Sequence, residues 1–564
     1  MTSPPAVPCR PTPASAGVSS NRFEALRRHR RWLFALVVVA LLAEMAIAMV
    51  TTAVQQTPTT DEPVYMGAAA VYLRQHSLRY NPEHPPLGKL VIGSGLAWAD
   101  PRLDSSYAGS QESVGRHLLY ESGNDAGRLM LWARLPMIAV TLLFGLVVFA
   151  FARDLVGSAG GSVALALYAF SPDIIAHGSL ATLDVLAAGL LLTAVWLLWR
   201  ARQRPLLYLP LAGVAVGAAM ATRMSALQAV PVLLVLVIAS IWFAGRRPGL
   251  GTRGSATLLG AGVAAAAGVA LVAVGVVWAA YLAVDPRLRW ATPENLPVVD
   301  GLRGFVVDRL PFPQPYRDGM RIQFGFEDRT WGGFLFGRQY LGSLWYYLPA
   351  ALLVKTPLGM LALWLSGAVA MVTAPRLRPA APYVLIPAAV LLAAGMTGSR
   401  DLGVRYAVFV PMFLAVAAGC VVAFRWRWAP VATAALVLLV VVSSLRTYPY
   451  YLPYSNEAFG GPSKTYLRLH DSNVDWGQDL GRLADRLRER YPGERIWLVY
   501  KGSGMPSYYG IEASDPLQVP PGEVHGLLAV SDSSIARADG RLAALVAGSR
   551  PIGTVGHSIT IYRR

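Results

Sequence analysis

Two adjacent acids, Asp61 and Glu62, follow the first long apolar run, and His84-Pro85-Pro86-Leu87-Gly88-Lys89 comes some twenty residues later. Charges this close to a membrane span are costly unless something uses them, so they are functional candidates. A carboxylate beside an acceptor hydroxyl can take its proton as the oxygen attacks, help worth about 10²–10⁴-fold in rate. Either Asp61 or Glu62 could do this. The plain alternative is a solvated turn, since Asp-Glu-Pro is ordinary turn composition.

A second set of candidates is cationic. Arg223 ends the fifth apolar run, Arg400 and Arg405 flank the turn 399–406, Lys89 closes the first motif and Lys355 enters the eighth run. Guanidinium forks bind phosphate bidentately, whereas lysine acts as a point charge. As a group these cations could hold a phosphate and stabilise it as a leaving group. Singly, each reads as a snorkelling side chain. Arg134, near one end of the second run, needs an anionic partner if buried, and Glu62 is the natural one. Asp184 could bind a substrate hydroxyl or pair with Arg223. Asp173 and His177 read as surface groups at a short turn, and His84, His177 and Glu83 leave a metal site open as an alternative.

The elements that position these residues are membrane spans. The chain has 564 residues, 54% of them hydrophobic and only 15% charged, and its mean hydropathy is +0.43. A soluble domain carries nearer a quarter charged residues. Eleven apolar runs are expected to cross the bilayer, near 33–54, 129–152, 158–172, 178–199, 205–222, 225–244, 256–284, 343–373, 380–397, 404–423 and 428–445. The net charge of +17 suggests nucleic acid, but its distribution excludes that reading. Arginines cluster in short loops: 22–31, 200–204, 246–253, 376–378 and 425–427. With the N-terminus inside, all of these fall on the cytoplasmic side, as the positive-inside rule requires. The two cysteines, Cys9 and Cys420, offer neither a disulfide framework nor a zinc cluster. The first run is too long for a removable signal peptide and reads as an anchor.

This topology divides the chain into a disordered basic cytoplasmic tail (1–31), a membrane domain (32–445) and a C-terminal domain outside the cell (446–564). Two large loops, 55–128 and 285–342, also fall outside; the candidate residues above lie in the first of them or at the outer ends and turns of the spans. Within the first, residues 90–98 are too short to span and read as interfacial. In 343–373 an interfacial helix leads into a span that begins near Leu358. The C-terminal domain reads as α/β, with a helix over 477–490 and strands at 496–500, 527–530 and 559–562.

The acids and the His84–Lys89 motif resemble glycosyltransferase family 39, the protein O-mannosyltransferase and aminoarabinose-transferase group of the GT-C fold. Ala133-Arg134-Leu135-Pro136, the stretch 171–178, Tyr346-Tyr347-Leu348-Pro349 with Lys355-Thr356-Pro357, and Gly403-Val404-Arg405-Tyr406 are similar to bacterial members. Tyr454-Ser455-Asn456-Glu457 and the stretch 471–480 complete the resemblance, which runs from about residue 33 to 490. It implies an inverting transferase in the plasma (inner) membrane that uses a sugar linked to polyprenyl phosphate, with its active site on the extracytoplasmic face. Asp61 would be the base, Glu62 a supporting acid held by Arg134, and the cations, with His84, the donor-binding residues. No cofactor is required, and a divalent metal stays open. The acceptor is a glycan, a lipid or a protein. The large β-trefoil insertion of the protein-mannosylating branch is absent from the sequence, which argues against a protein acceptor.

Two other readings compete. A transporter or lipid-linked-sugar flippase tends to place charges near the midplane in paired repeats, whereas these gather at span ends and eleven spans do not halve. A membrane anchor presenting its C-terminal domain leaves Asp61, Arg134 and Asp184 unexplained.

Overall fold

The computed structural model describes residues 17–246 and 252–564, with side chains from Trp32 onward. Cys9, Arg247, the first half of the basic tail and the side chains of the arginines before Trp32 lie outside the described residues. From Gly17 the backbone is helical, so α1 (Gly17–Gln55) starts well before the expected span and takes in residues expected to be disordered.

Helices dominate. After α1 come α2 (Glu62–Gln75), α3 (Pro86–Ala99), α4 (Gln111–Arg116) and α5 (Ala126–Ala169), then α6 (Pro172–Gly178), α7 (Asp184–Ala201), α8 (Pro205–Thr222), α9 (Val230–Gly245) and α10 (Thr252–Val284). The second large loop holds α11 (Gly301–Arg309), α12 (Gln314–Glu327) and a hairpin of β1 (Gly332–Leu335) with β2 (Arg338–Leu341). The bundle closes with α13 (Tyr347–Lys355), α14 (Leu358–Thr373), α15 (Ala381–Gly395), α16 (Phe409–Gly419) and α17 (Ala429–Thr447).

Among the described residues seven helices are long and apolar enough to cross a membrane, or eight if α13 and α14 count as one bent span. The expected eleven are not reached on that measure. The two spans expected near 129–152 and 158–172 both lie in α5, which Gly157 divides into two helices: its φ of 84° and ψ of 179° are not helical, and a residue without Cβ adopts them readily. α15 and the apolar segment Phe409–Ala423 are short. The α13–α14 pair bends by 118° at Thr356-Pro357, because proline disfavours helix in the residue before it. Asp184, expected inside its span, is the first residue of α7.

The C-terminal region adds α18 (Leu480–Arg490) and a five-stranded sheet in the order β4-β3-β5-β7-β6. The three expected strands are β3 (Ile496–Val499), β5 (Leu527–Ser531) and β7 (Ile559–Arg563). β4 (Ala513–Ser514) and β6 (Arg550–Val555) were not expected; the first is two exposed residues, and the second carries Pro551 and Gly553 at a register shift. β3 runs parallel to β4 and β5, while β7 is antiparallel to β5 and β6. Leu480, Leu483 and Leu487 bury the apolar face of α18 against this sheet.

Close backbone contacts set the position of the acidic loop. A Cβ on Gly95 of α3 would lie 1.8 Å from the carbonyl oxygen of Trp132 in α5, and one on Gly115 of α4 would lie 1.7 Å from that of Pro63 in α2. Gly115→Ala must therefore push α4 away from the helix that begins at Glu62. An overpacking loss of about 1–3 kcal/mol is expected, read as a lower apparent unfolding temperature. Gly275→Ala, whose Cβ meets nothing within 4 Å, should leave that temperature unchanged or raise it.

Candidate active site

Glu62 and Arg134 meet with both side chains fully buried. Glu62 Oε1 accepts from Arg134 Nε at 2.7 Å and from the Ala181 amide at 2.8 Å; Oε2 accepts from Arg134 Nη2 at 2.6 Å, the Thr59 amide at 2.9 Å and Thr59 Oγ1 at 3.0 Å. Arg134 Nη1 donates to the carbonyls of Ala53 and Gln56, and Nη2 to that of Thr57. Burial works against ionisation of Glu62, but the guanidinium and the two amides hold its carboxyl below the usual value. A pair this well satisfied can offset its desolvation. It joins the end of α1, the start of α2, the wall of α5 and the turn before α7.

Asp61 is placed differently. It precedes α2 without capping it, and its side chain is 28% exposed while that of Glu62 is 0% exposed. Of the two acids only Asp61 is accessible. Its Oδ2 accepts from Arg405 Nη1 at 2.5 Å, and the Arg405 guanidinium carbon lies 4.4 Å from the Trp476 ring.

Three of the expected cations surround one ring. The guanidinium carbons of Arg405, Arg223 and Arg400 lie 5.2, 5.3 and 6.0 Å from the centroid of Tyr406. Each has its own acid: Asp61 for Arg405, Asp184 for Arg223 and Glu327 for Arg400, the last at 2.8 Å. Asp184 thus takes the structural alternative weighed from the sequence. His84 stands beside this group, edge-on to Tyr65 at 5.7 Å. Its burial, then Arg223, Lys89, Arg400 and Arg405, holds its pKa well below the usual imidazole value, so the ring is neutral.

The two lysines stand elsewhere. Lys89 Nζ donates to the Asn81 carbonyl (2.7 Å), Asn81 Oδ1 (3.3 Å) and the His84 carbonyl (2.7 Å). Lys355 Nζ donates to the carbonyls of Leu452 (2.5 Å) and Asn473 (3.0 Å) and sits 3.5 Å from Asp173. Both are 0% exposed. An ammonium has three donors, so neither lysine keeps one for a ligand. Among the described residues no three of His, Cys, Asp or Glu group as a metal site needs, His84, His177 and Glu83 included.

Residues 471–478 form a strap between the sheet and this site. Their carbonyls accept from the loop that carries the acids: Trp476 from the Thr60 amide (2.9 Å), Gln478 from the Thr57 amide (3.0 Å) and Gly477 from Thr57 Oγ1 (3.0 Å). On the arginine side, Ser472 Oγ donates to the Leu402 carbonyl (2.7 Å), and Asn473 Oδ1 accepts from the Val404 amide (3.0 Å). The strap therefore fixes Asp61 and Arg405 against each other. Tyr406 and Trp476, quoted within motifs but given no role, are what sequence reasoning missed. Only their adjacency to Arg405 and Asp475 in the sequence hinted at them.

Residues 126–278 match the sequence model of the family described as dolichyl-phosphate-mannose-protein mannosyltransferase. That segment of the chain is similar to this glycosyltransferase family. No curated protein matches it. Among solved structures it is similar to ArnT from Cupriavidus metallidurans bound to undecaprenyl phosphate, at 14% identity and a TM-score of 0.48, over 93% of this chain and 97% of that one. It is also similar to the Saccharomyces cerevisiae Pmt1-Pmt2 complex bound to the sugar donor (16%, TM-score 0.34, 44% and 33% covered). A third is AglB, the oligosaccharyltransferase from Archaeoglobus fulgidus (11%, TM-score 0.43, 93% and 74% covered). Likenesses this loose assign no residue. Within the mannosyltransferase-type segment lie Arg134, Asp184 and Arg223; Asp61, Glu62, Arg400 and Arg405 fall outside it and rest on geometry.

Glu62→Gln leaves Arg134 buried without its counter-charge. A loss of about 3–5 kcal/mol is expected, visible as lost expression or a sharply lower unfolding temperature. In the strap, burial pushes the Asp475 carboxyl up to about 7, with the Gly477 amide and Lys501 opposing it. Folding favours its protonated form, so stability present at low pH is lost as pH rises through about 7. Asp475→Asn should narrow the gap between apparent unfolding temperatures at pH about 5 and about 8. An unchanged gap would remove Asp475 as a source of pH dependence.

Proposed function

We propose that this protein transfers a sugar from a polyprenyl-phosphate-linked donor to an acceptor hydroxyl on the extracytoplasmic face of the inner membrane, with inversion, Asp61 acting as the base. The observation that carries this reading is the accessible carboxylate of Asp61 set at the rim of three arginines gathered around Tyr406. The family match over residues 126–278 supports the reaction class.

The steps follow from the groups present. Asp61 takes the acceptor hydroxyl proton as that oxygen attacks the anomeric carbon. The bond from that carbon to the phosphate oxygen breaks, and its electron pair stays on the phosphate. Arg405, Arg400 and Arg223 face the charge that develops, so departure needs no general acid. Glu62 and Arg134 hold Asp61 in place without touching substrate, and His84 supplies a neutral imidazole at the rim. Lys89 and Lys355, with their donors taken, belong to the frame rather than to the phosphate site. The acceptor is a glycan, a lipid or a protein, and no cofactor takes part in these steps.

The charges sit at element ends: Glu62 and Asp184 start helices, Arg223 follows α8 and Arg405 lies in the turn before α16. Alternating-access carriers place them at broken helices near the midplane, so this arrangement favours the transferase over a transporter.

Asp61→Asn should lower transfer by about 10²–10⁴-fold while leaving the fold intact, because the Glu62–Arg134 pair is untouched. The measurement is sugar transfer by the full chain with a panel of polyprenyl-phosphate sugars. Full transfer by a normally expressed Asp61→Asn variant would overturn the assignment.

A further inference from the structure

The transfer reading treats Asp61 as the base and Arg405 as a phosphate ligand, yet the two are bonded to each other. The contact is short, 2.5 Å from Arg405 Nη1 to Asp61 Oδ2. Arg405 lies over Trp476 at 4.4 Å and beside Tyr406 at 5.2 Å. Asp61 is set from one side by Glu62 and from the other by the Thr60 amide, which donates to the Trp476 carbonyl. While that bond stands, Asp61 Oδ2 is occupied by a charge-assisted hydrogen bond and is not open to the proton of an acceptor hydroxyl.

The same arginines keep unused donors. Nε of Arg405 and Nε of Arg400 are buried and have no partner, although buried polar groups are nearly always satisfied. Arg405 is only 10% exposed at its side chain while Asp61 is 28% exposed. The acid is thus the partner with room to leave. Arg223 differs, since its counter-ion Asp184 is itself buried, with a side chain 4% exposed.

Resting on the transfer reading, we propose that the carrier phosphate and Asp61 compete for Arg405, so that donor binding displaces Asp61 and releases it as the base. Arg405 stays protonated in both states and only its anionic partner changes, from carboxylate to phosphate. No covalent bond forms or breaks in this exchange. Its consequence is an order of events: the base is masked until a donor phosphate occupies the arginines, and the acceptor meets an active carboxylate only then.

The test is a double-mutant cycle on binding. Undecaprenyl phosphate is titrated into the full chain in nanodiscs, with undecaprenol as the uncharged control. The proteins are the unsubstituted chain, Asp61→Asn, Arg405→Gln and the double variant. Competition predicts that Asp61→Asn binds the phosphate roughly three- to tenfold tighter, the scale of a part-exposed ion pair, and that the gain vanishes in the Arg405→Gln background. A gain that persists without Arg405 means simple repulsion between carboxylate and phosphate and overturns the proposal, as does no gain at all. If Arg405→Gln fails to fold, Arg405→Lys, which keeps the charge and loses the fork, takes its place and should shrink the gain; an undiminished gain overturns the proposal. Binding and transfer are read separately. Full transfer by Asp61→Asn removes the base, whereas a failed cycle with transfer abolished removes only the competition.

Discussion

One buried ion pair fixes the position of the loop that carries the candidate acids. Glu62 and Arg134 have no contact with water, and each carboxylate oxygen and each terminal guanidinium nitrogen finds a partner. Such a pair costs much to desolvate, so its net stabilisation is small, but breaking it is expensive. Its value lies in position. Three carbonyls at the end of α1, an amide before α7 and the first residue of α2 converge on it. The next residue back along the chain, Asp61, is thereby placed at the site rim with a part-exposed side chain.

The C-terminal sheet region takes part in the same arrangement. Its strap reaches the acid loop through Trp476, Gly477 and Gln478 and the arginine turn through Ser472 and Asn473. Most of these bonds use a main-chain amide or carbonyl, so the geometry depends on the path of the strap more than on its side chains. Ser472 and Asn473 contribute side-chain oxygens, and the Trp476 ring also supports the Arg405 guanidinium. The region therefore acts on the site by positioning it. Lys355 adds to this by fastening the end of α13 to the carbonyls of Leu452 and Asn473.

Much of this was legible in the residues, for physical reasons that can be named. A buried arginine demands an anion, which made Glu62 the expected partner of Arg134, and the same logic offered Asp184 to Arg223. Apolar length marked the spans, including the break at Gly157 in α5, but it could not show that α15 would be short, since helix ends are set by packing. The lysines misled for a different reason. Their partners are backbone carbonyls, which carry no signature in a sequence, so a caged ammonium and a waiting one look alike. Glu327 escaped notice because it reaches Arg400 from the end of α12, distant in the chain. Tyr406 escaped because three guanidinium groups meet around its ring only after three separate segments have folded together.

That meeting reverses the simplest view of the charge. A net charge of +17 and three arginines at one ring suggest a strongly positive site, yet each arginine is matched by a carboxylate. Three bare guanidinium groups so close together would repel one another and destabilise the fold. The acids allow the cluster to exist before any ligand arrives. They do so unequally: Asp184 is buried with Arg223, while Asp61 and Glu327 reach solvent. A dianionic or monoanionic phosphate entering such a site meets cations already in place and acids of differing freedom to yield. Affinity then depends on how easily a counter-ion moves aside rather than on how many positive charges are present. In this cluster the counter-ion of Arg405 is also the accessible acid of the first loop pair, which, in the proposed transfer, couples the electrostatics of binding to the proton transfer that follows.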